Sequence, residues 1–224
     1  MDVDVAGNLK TVKSTIPTGV ELVAVSKFHP AEHVMKAYEA GQRIFGESRE
    51  QELIEKAEKM PKDIHWHFIG HLQRNKVKYI APFIEMIHAM DSERLLSEIN
   101  RQAEKNGRVI KVLLQLHLAD EETKFGMTLD ECRALLEKGE WRTYRNVQIC
   151  GIMMMASNVD DRAQIQGEFQ QASDFFDEVK TRYFATDDAF RCKSWGMSHD
   201  YDIAVKTGSN MVRVGTAIFG NREY

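Results

Sequence analysis

The sequence is poor in the residues and patterns that mark several classes of protein. It has only 3 cysteines and 4 prolines in 224 residues, and Cys132, Cys150 and Cys192 form no CxxC pair. We therefore expect free thiols, with neither a disulfide framework nor a cysteine-based zinc site. No stretch approaches 18 consecutive apolar residues, and the first residues lack the basic and apolar segments of a signal peptide. These absences predict a cytoplasmic protein without a membrane span.

An excess of positive charge is also missing. Lysine and arginine number 30 against 34 aspartate and glutamate residues, for a formal net charge of −4. Domains that bind nucleic acids usually carry a basic surface, so we expect no nucleic-acid partner. The content of apolar residues, 43%, and of charged residues, 29%, is typical of a folded globular domain.

Short apolar segments alternate with longer amphipathic segments along the whole chain. The predicted strands are 20–26, 43–46, 64–70, 84–90, 109–118, 147–155, a stretch within 191–198, and 211–214. The predicted helices are 4–13, 31–40, 50–60, 72–79, 92–105, 129–138, 160–183 and 201–206. This order predicts an α/β fold, a (β/α)8 TIM barrel formed as one domain by residues 1–224, with an extra N-terminal helix. The alternative is a doubly wound open sheet, although no GxGxxG or GxxxxGK[ST] loop follows the first strand.

Lys27 directly follows the first predicted strand. Strand alternation places it on the same face as Val23 and Val25, and in a barrel that face is the interior. A lysine at the barrel mouth with a lowered pKa could hold a carbonyl ligand as a Schiff base. The alternative is a strand-end lysine that extends into solvent, and strand position alone favours this alternative.

Arg213 lies on the last predicted strand, where the two neighbouring valines would face the helices. The arginine would then point inward, and it would need an anion or an acceptor there. Gly215 and Thr216 follow this strand, and Ser198 follows the seventh strand. The loops after the last two strands of TIM barrels often bind phosphate, so a phosphate site and a plain closing turn are both open at this point.

The third strand carries His65 and His67 on one face. A His-x-His pair can bind a metal ion, but no acidic or cysteine residues nearby complete a ligand set. We therefore predict no metal site, and we interpret His67 as a hydrogen-bonded histidine in or near the pocket.

Several segments together resemble the YggS/PROSC family of proteins that bind pyridoxal 5′-phosphate (PLP), also called PLP homeostasis proteins. The segments are AVSKFHP at 24–30, FGES at 45–48, WHFIGHLQRNK at 66–76 and GMSHDYDIAVKTGSNMVRVGTAIFG at 196–220. They occur in the family's order through most of the chain. The resemblance implies the fold of the N-terminal barrel of alanine racemase.

The resemblance also implies roles for individual residues. Lys27 would be the Schiff-base lysine, and Arg213 would contact the pyridine nitrogen. Other residues would complete the site: Ser198, Gly215 and Thr216 at the phosphate, Met197 and Ser209 along its lining, and His67 near the ring. Two positions differ from the usual pattern, because Ser48 replaces the asparagine of an FGEN motif and Asn210 replaces the threonine of a GST motif.

The function implied by the resemblance is intracellular homeostasis of PLP, a form of vitamin B6, without robust catalysis. An arginine donates to the pyridine nitrogen, leaves it unprotonated and weakens the ring as an electron sink. The sequence ends soon after the eighth strand, so we expect no second domain to supply an acid/base group opposite the lysine. We expect a monomer that serves PLP-dependent apo-enzymes. The alternatives are an amino-acid racemase of weak or narrow activity and a phosphate-binding barrel unrelated to PLP.

Overall fold

The computed structural model describes residues 3–118 and 125–221, and every statement about the fold refers to these residues. Parallel strands form a closed barrel in which each strand pairs with the next along the chain and the last pairs with the first. The strands are β1 (Glu21–Val25), β2 (Ile44–Glu47), β3 (His65–Phe68), β4 (Met86–Met90), β5 (Ile110–Gln115), β6 (Val147–Met153), β7 (Cys192–Ser194) and β8 (Met211–Val214). The helices are α1 (Val5–Thr15), α2 (Ala31–Glu39), α3 (Glu50–Lys59), α4 (Val77–Ile80), α5 (Glu93–Lys105), α6 (Leu129–Lys138), α7 (Arg162–Tyr183), α8 (Tyr201–Lys206) and α9 (Thr216–Phe219).

The predicted TIM barrel is confirmed, and its closure shows that the open-sheet alternative is wrong. The largest error in the helix predictions concerns residues 72–79. Gln73 has an extended backbone, with φ −70° and ψ 136°, so no helix can include it. A 3₁₀ turn at Arg74–Lys76 and the one-turn helix α4 occupy this stretch instead.

Local signals explain where several helices begin and end. The side chain of Asp4 accepts a hydrogen bond from the backbone N–H of Gly7 at the start of α1. Thr128 and Glu131 form a reciprocal capping box at the start of α6, and Gly139 ends that helix in the left-handed conformation. Within the described ranges no helix is both long and apolar enough to cross a lipid bilayer.

The core has two parts, which the sheet separates. The larger part lies between the strands and the helices and includes Val212 and Val214. The smaller part fills the interior of the barrel with Val23, Met86, Leu113, Cys150, Met153 and Met211. Strand alternation therefore assigned the inner face of β1 and the outer face of β8 correctly. All three cysteines are free thiols, as the sequence predicted.

The close approach of β6 to β7 at Gly151 allows a test of how the barrel strands pack. A Cβ atom added to Gly151 would lie 1.9 Å from the carbonyl oxygen of Cys192, its partner in the sheet. We expect Gly151→Ala to lower the free energy of unfolding by about 3 kcal/mol, because the two strands would have to separate. Urea denaturation measures the change.

The matched control is Gly167→Ala in the middle of α7, where an added Cβ meets nothing within 4 Å. This variant should raise the free energy of unfolding by about 0.5–1 kcal/mol, because alanine favours a helix more than glycine does. Equal stability of the two variants would contradict the packing described here.

Candidate functional site

Most of the predicted site residues meet at the carboxyl end of the barrel. Lys27 and Ser48 follow β1 and β2, Ser198 lies in the segment after β7, and Gly215 and Thr216 follow β8. Parallel strands of a barrel all end at the same rim, so these five positions share one mouth. This rim is the usual place for a TIM-barrel active site.

The pairing of β1 with β8 brings the two predicted principal residues together. Val23 lies opposite Arg213 in the register of the two strands, and Lys27 extends from the end of β1 above this level. Lys27 is half-buried, whereas Arg213 is only 4% exposed. The site therefore has a buried cation on β8 and a partly accessible lysine just after the end of β1.

The guanidinium of Arg213 is held by neutral acceptors. Its Nη1 donates to the carbonyl oxygen and to Oγ of Ser194, both at 2.7 Å, and its Nη2 donates to the carbonyl oxygen of Met154 at 2.9 Å. In the part of the chain that the structure describes, no carboxylate forms a salt bridge with it. Burial lowers the pKa of Arg213 to about 10, so the side chain remains a cation at neutral pH.

A chain of hydrogen bonds continues from Arg213 across the interior of the barrel. Ser194 Oγ lies 3.1 Å from Nδ1 of His88, and Nε2 of His88 lies 2.9 Å from Nδ1 of His67. Burial lowers the pKa of His67 to about 3. Burial, together with the charges of His67 and Arg213, holds the pKa of His88 well below its usual range. Both imidazoles are therefore neutral at physiological pH.

One arrangement of the protons satisfies every member of this chain. Arginine only donates hydrogen bonds, so Ser194 Oγ accepts from it and has its own proton left to donate to His88. A neutral His88 that accepts at Nδ1 carries its proton on Nε2, and it donates that proton to Nδ1 of His67. Every member of the chain then has a satisfied partner, as burial requires.

The segments around the last two strands form a second polar cluster. Ser198 Oγ accepts a hydrogen bond from the backbone N–H of Gly215 at 3.2 Å, and Asp200 accepts one from the backbone N–H of Met197. A Cβ atom on Gly215 would lie 3.0 Å from the carbonyl oxygen of Val25, so a side chain there would push the end of β1 away by a few tenths of an ångström. Thr216 begins α9, and the first N–H groups of a helix have no partner within it.

Ser209 is the one predicted site residue that the structure does not bring to the mouth. It precedes β8, at the opposite end of that strand from Gly215. Its hydroxyl is within hydrogen-bond distance of three backbone carbonyl oxygens, those of Lys193, Trp195 and Met211. Its place in the fold is to join the segments around β7 and β8.

The sequence reasoning missed His88, Ser194 and Glu47. His88 lies two residues after Met86, and the same alternation that placed Met86 inside the barrel would have placed His88 there. Glu47 is a fully buried acid at the end of an otherwise apolar strand. In the residues that the structure describes, no three His, Cys, Asp or Glu side chains form a cluster that could hold a metal ion.

Comparisons with known proteins agree with this geometry. Residues 4–223 match the family model of the alanine racemase N-terminal domain. The chain is 35% identical over 205 residues to the pyridoxal phosphate homeostasis protein of Aquifex aeolicus, a match that covers 91% of this chain and 88% of the relative. It is 38% identical over 206 residues to the protein of that name from Schizosaccharomyces pombe, with 91% of this chain and 84% of the relative covered.

A solved structure gives the same result. PipY of Synechococcus elongatus, determined with PLP bound, superposes with a TM-score of 0.89 and is 36% identical. The superposition covers 97% of this chain and 100% of PipY. On its sequence, its barrel and the residues at its mouth, the chain belongs to the family of pyridoxal phosphate homeostasis proteins, which carry the alanine racemase N-terminal domain.

Proposed function

We propose that this protein binds PLP at the carboxyl end of its barrel, holds it as a Schiff base on Lys27 and takes part in PLP homeostasis. The observation that carries the proposal is the pairing of β1 with β8, which sets the buried cation of Arg213 opposite Val23 on the strand that leads into Lys27. The family membership and the PLP-bound structure of PipY support it. The chemistry is a condensation of the Lys27 amine with the PLP aldehyde, with loss of water.

The residues present fit this cofactor. Arg213 is a buried donor without a contacting carboxylate among the described residues, and an unprotonated pyridine nitrogen is the neutral acceptor that suits it. The hydroxyl groups of Ser198 and Thr216 and the backbone N–H at the start of α9 are donors that suit a phosphate, and Gly215 supports them through its N–H bond to Ser198. We assign Met197, Ser48 and His67 to the lining of the site, and we leave Ser209 out because it lies at the far end of β8.

We further propose that binding is not followed by robust catalysis. Bound PLP would supply an electron sink, and Arg213 weakens that sink because it cannot protonate the pyridine nitrogen. His67 was the one acid/base candidate that the sequence offered. Its ring is buried, its Nδ1 is engaged by His88, and its low pKa makes it a poor base. We also propose that residues 1–224 act as one unit and that this unit is a cytosolic monomer. Its role would be to supply PLP to PLP-dependent apo-enzymes.

Replacement of the lysine tests the attachment. We expect Lys27→Ala to abolish the visible absorbance that appears when PLP is added, because the variant lacks the amine proposed to condense with the aldehyde. Borohydride reduction of the wild-type protein, followed by peptide mass mapping, should find the cofactor on Lys27. The control Lys105→Ala removes an exposed lysine of α5 and should bind like the wild type. An undiminished spectrum in Lys27→Ala would refute the assignment.

Proton exchange tests the absence of catalysis. The PLP-loaded protein in deuterated water should not label the α-position of a panel of amino acids above the rate produced by free PLP, because the buried His67 is a poor base and Arg213 would weaken the electron sink. Nuclear magnetic resonance of the α-proton measures the exchange. Rapid exchange that disappears in Lys27→Ala would establish the racemase alternative instead.

The neutral histidines predict a pH dependence of stability. The pKa of His67 is lower in the folded state than in the unfolded chain, so its contribution is complete above about pH 6.5 and is lost as the pH falls toward 3. His67→Gln should make the decline of unfolding free energy between pH 6.5 and 4.5 shallower, by up to about 1.4 kcal/mol per pH unit. Urea titrations across this range measure the slope.

His65→Gln is the matched control, because this residue lies on the same strand with its ring exposed to water. The two variants make the same chemical change on β3, one at a buried histidine and one at an exposed histidine. An identical slope for His67→Gln and the wild type would show that His67 is not held neutral by the fold.

A further inference from the structure

A buried charge network contacts the residues on either side of Lys27. The ammonium of Lys56, on α3, donates to Oε1 of Glu47 at 2.7 Å, to Oε1 of Glu52 at 2.7 Å and to the carbonyl oxygen of Ser26 at 2.8 Å. These three acceptors use all three protons of the ammonium group. Ser26 is bound a second time, because its hydroxyl donates to Oε1 of Glu47 at 2.6 Å. The residue before Lys27 is therefore fixed through both its side chain and its backbone.

The residue after Lys27 is fixed by the same network. The backbone N–H of Phe28 donates to Oε1 of Glu52 at 2.7 Å. Phe28 has φ +65°, and no other residue except glycine has a positive φ in the described parts of the chain. A bulky residue adopts this conformation only where its surroundings hold it there. The acceptor on Glu52 is one such constraint, and it acts on the peptide bond that joins Lys27 to Phe28.

The charged side chains of this network are buried, unlike charges that keep the surface of a protein soluble. Glu47 is fully buried and the side chain of Lys56 is 6% exposed, although ion pairs of this kind are expensive to desolvate. Burial raises the pKa of Glu47 to about 7 even with the Lys56 ammonium beside it. Oε2 of Glu47 has no hydrogen-bond partner among the described residues. Apolar packing would stabilise a barrel at least as well, so the arrangement calls for a role in the site.

We propose that Glu52, supported by Lys56 and Glu47, is a positioning residue that directs the Lys27 side chain into the mouth of the barrel. The inference rests on the proposed attachment of PLP to Lys27. Glu52 does not touch the cofactor in this account. It acts through the backbone of Phe28 and through Lys56, and so it presents the amine in the orientation that the attachment requires.

Three variants on α3 test the proposal. Glu52→Ala removes the acceptor for the Phe28 N–H, and it should slow the formation of the borohydride-reducible PLP adduct at least about 10-fold. Glu52→Gln keeps an amide oxygen that can accept the same hydrogen bond, and it should restore the rate to within about threefold of the wild type. Glu55→Ala removes an exposed glutamate from the same helix and should have no effect.

A second measurement separates orientation from simple stability. At saturating PLP and at a temperature where every variant is folded, Glu52→Ala should alter the circular dichroism of the bound cofactor in the visible range, and Glu52→Gln should not. Unchanged adduct rate and unchanged visible dichroism in Glu52→Ala, even with a lowered melting temperature, would overturn the proposal and leave Glu52 a structural residue.

The Lys27→Ala experiment distinguishes the positioning role of Glu52 from the proposed attachment of PLP to Lys27. If Lys27→Ala still forms the adduct, the proposed attachment is wrong and the positioning role is wrong with it. If Lys27→Ala loses the adduct and Glu52→Ala keeps the wild-type rate, only the positioning role is wrong.

A double variant, Glu47→Gln with Lys56→Met, removes both buried charges together and avoids leaving one unpaired. It should reproduce the slow attachment of Glu52→Ala, and a wild-type rate in it would contradict the supporting role of the pair.

Discussion

The hydrogen bonding of β8 to β1 is the constraint on which the site depends. It joins the two ends of the described chain, and its register sets Val23 opposite Arg213. Side chains alternate along a strand, so a slip of one residue would turn Arg213 toward the helices and Val214 into the barrel. Gly215 keeps the two strands close, because a side chain there would meet the backbone of Val25. The pairing of β1 with β8 therefore closes the barrel and sets the positions of the site residues on these two strands at the same time.

A buried arginine then dictates the chemistry of the barrel interior. Below it the interior is apolar, with Met86, Leu113 and Met153 among its residues. At its own level the neighbouring side chains are polar, because a guanidinium removed from water needs acceptors. Ser194 provides one acceptor, and the two neutral histidines carry the hydrogen bonds across to β3. The low pKa values of His67 and His88 follow mainly from the same burial, and at His88 repulsion by Arg213 adds to it.

Sequence periodicity predicted the barrel and the inward position of Arg213 for a clear physical reason, because the alternation of apolar residues along each strand reports which face is buried. For Lys27 the strand position alone favoured solvent, and only the resemblance to the family made it the expected Schiff-base lysine. The missed residues depend on contacts between elements that are distant in the sequence. Whether His88 meets Ser194 depends on the geometry of the closed barrel, and whether Lys56 reaches Ser26 depends on how α3 packs. The sequence pattern of a single helix or strand reports neither the His88–Ser194 distance nor the Lys56–Ser26 distance.

Several departures from ordinary packing lie on or next to β1. Phe28 has a positive φ and the buried Lys56 bonds to Ser26, both just after the end of β1, while Arg213, opposite Val23, lacks a carboxylate partner among the described residues. Strain and buried charge in one place are the mark of a preorganised site, which lowers the entropic cost of ordering a ligand. The two principal residues nevertheless differ in access, because Arg213 is sealed in the interior while Lys27 is half-buried. This asymmetry suits the function proposed above, in which Arg213 would orient the ring of the cofactor and the accessible amine of Lys27 would allow the covalent link to form and to be broken.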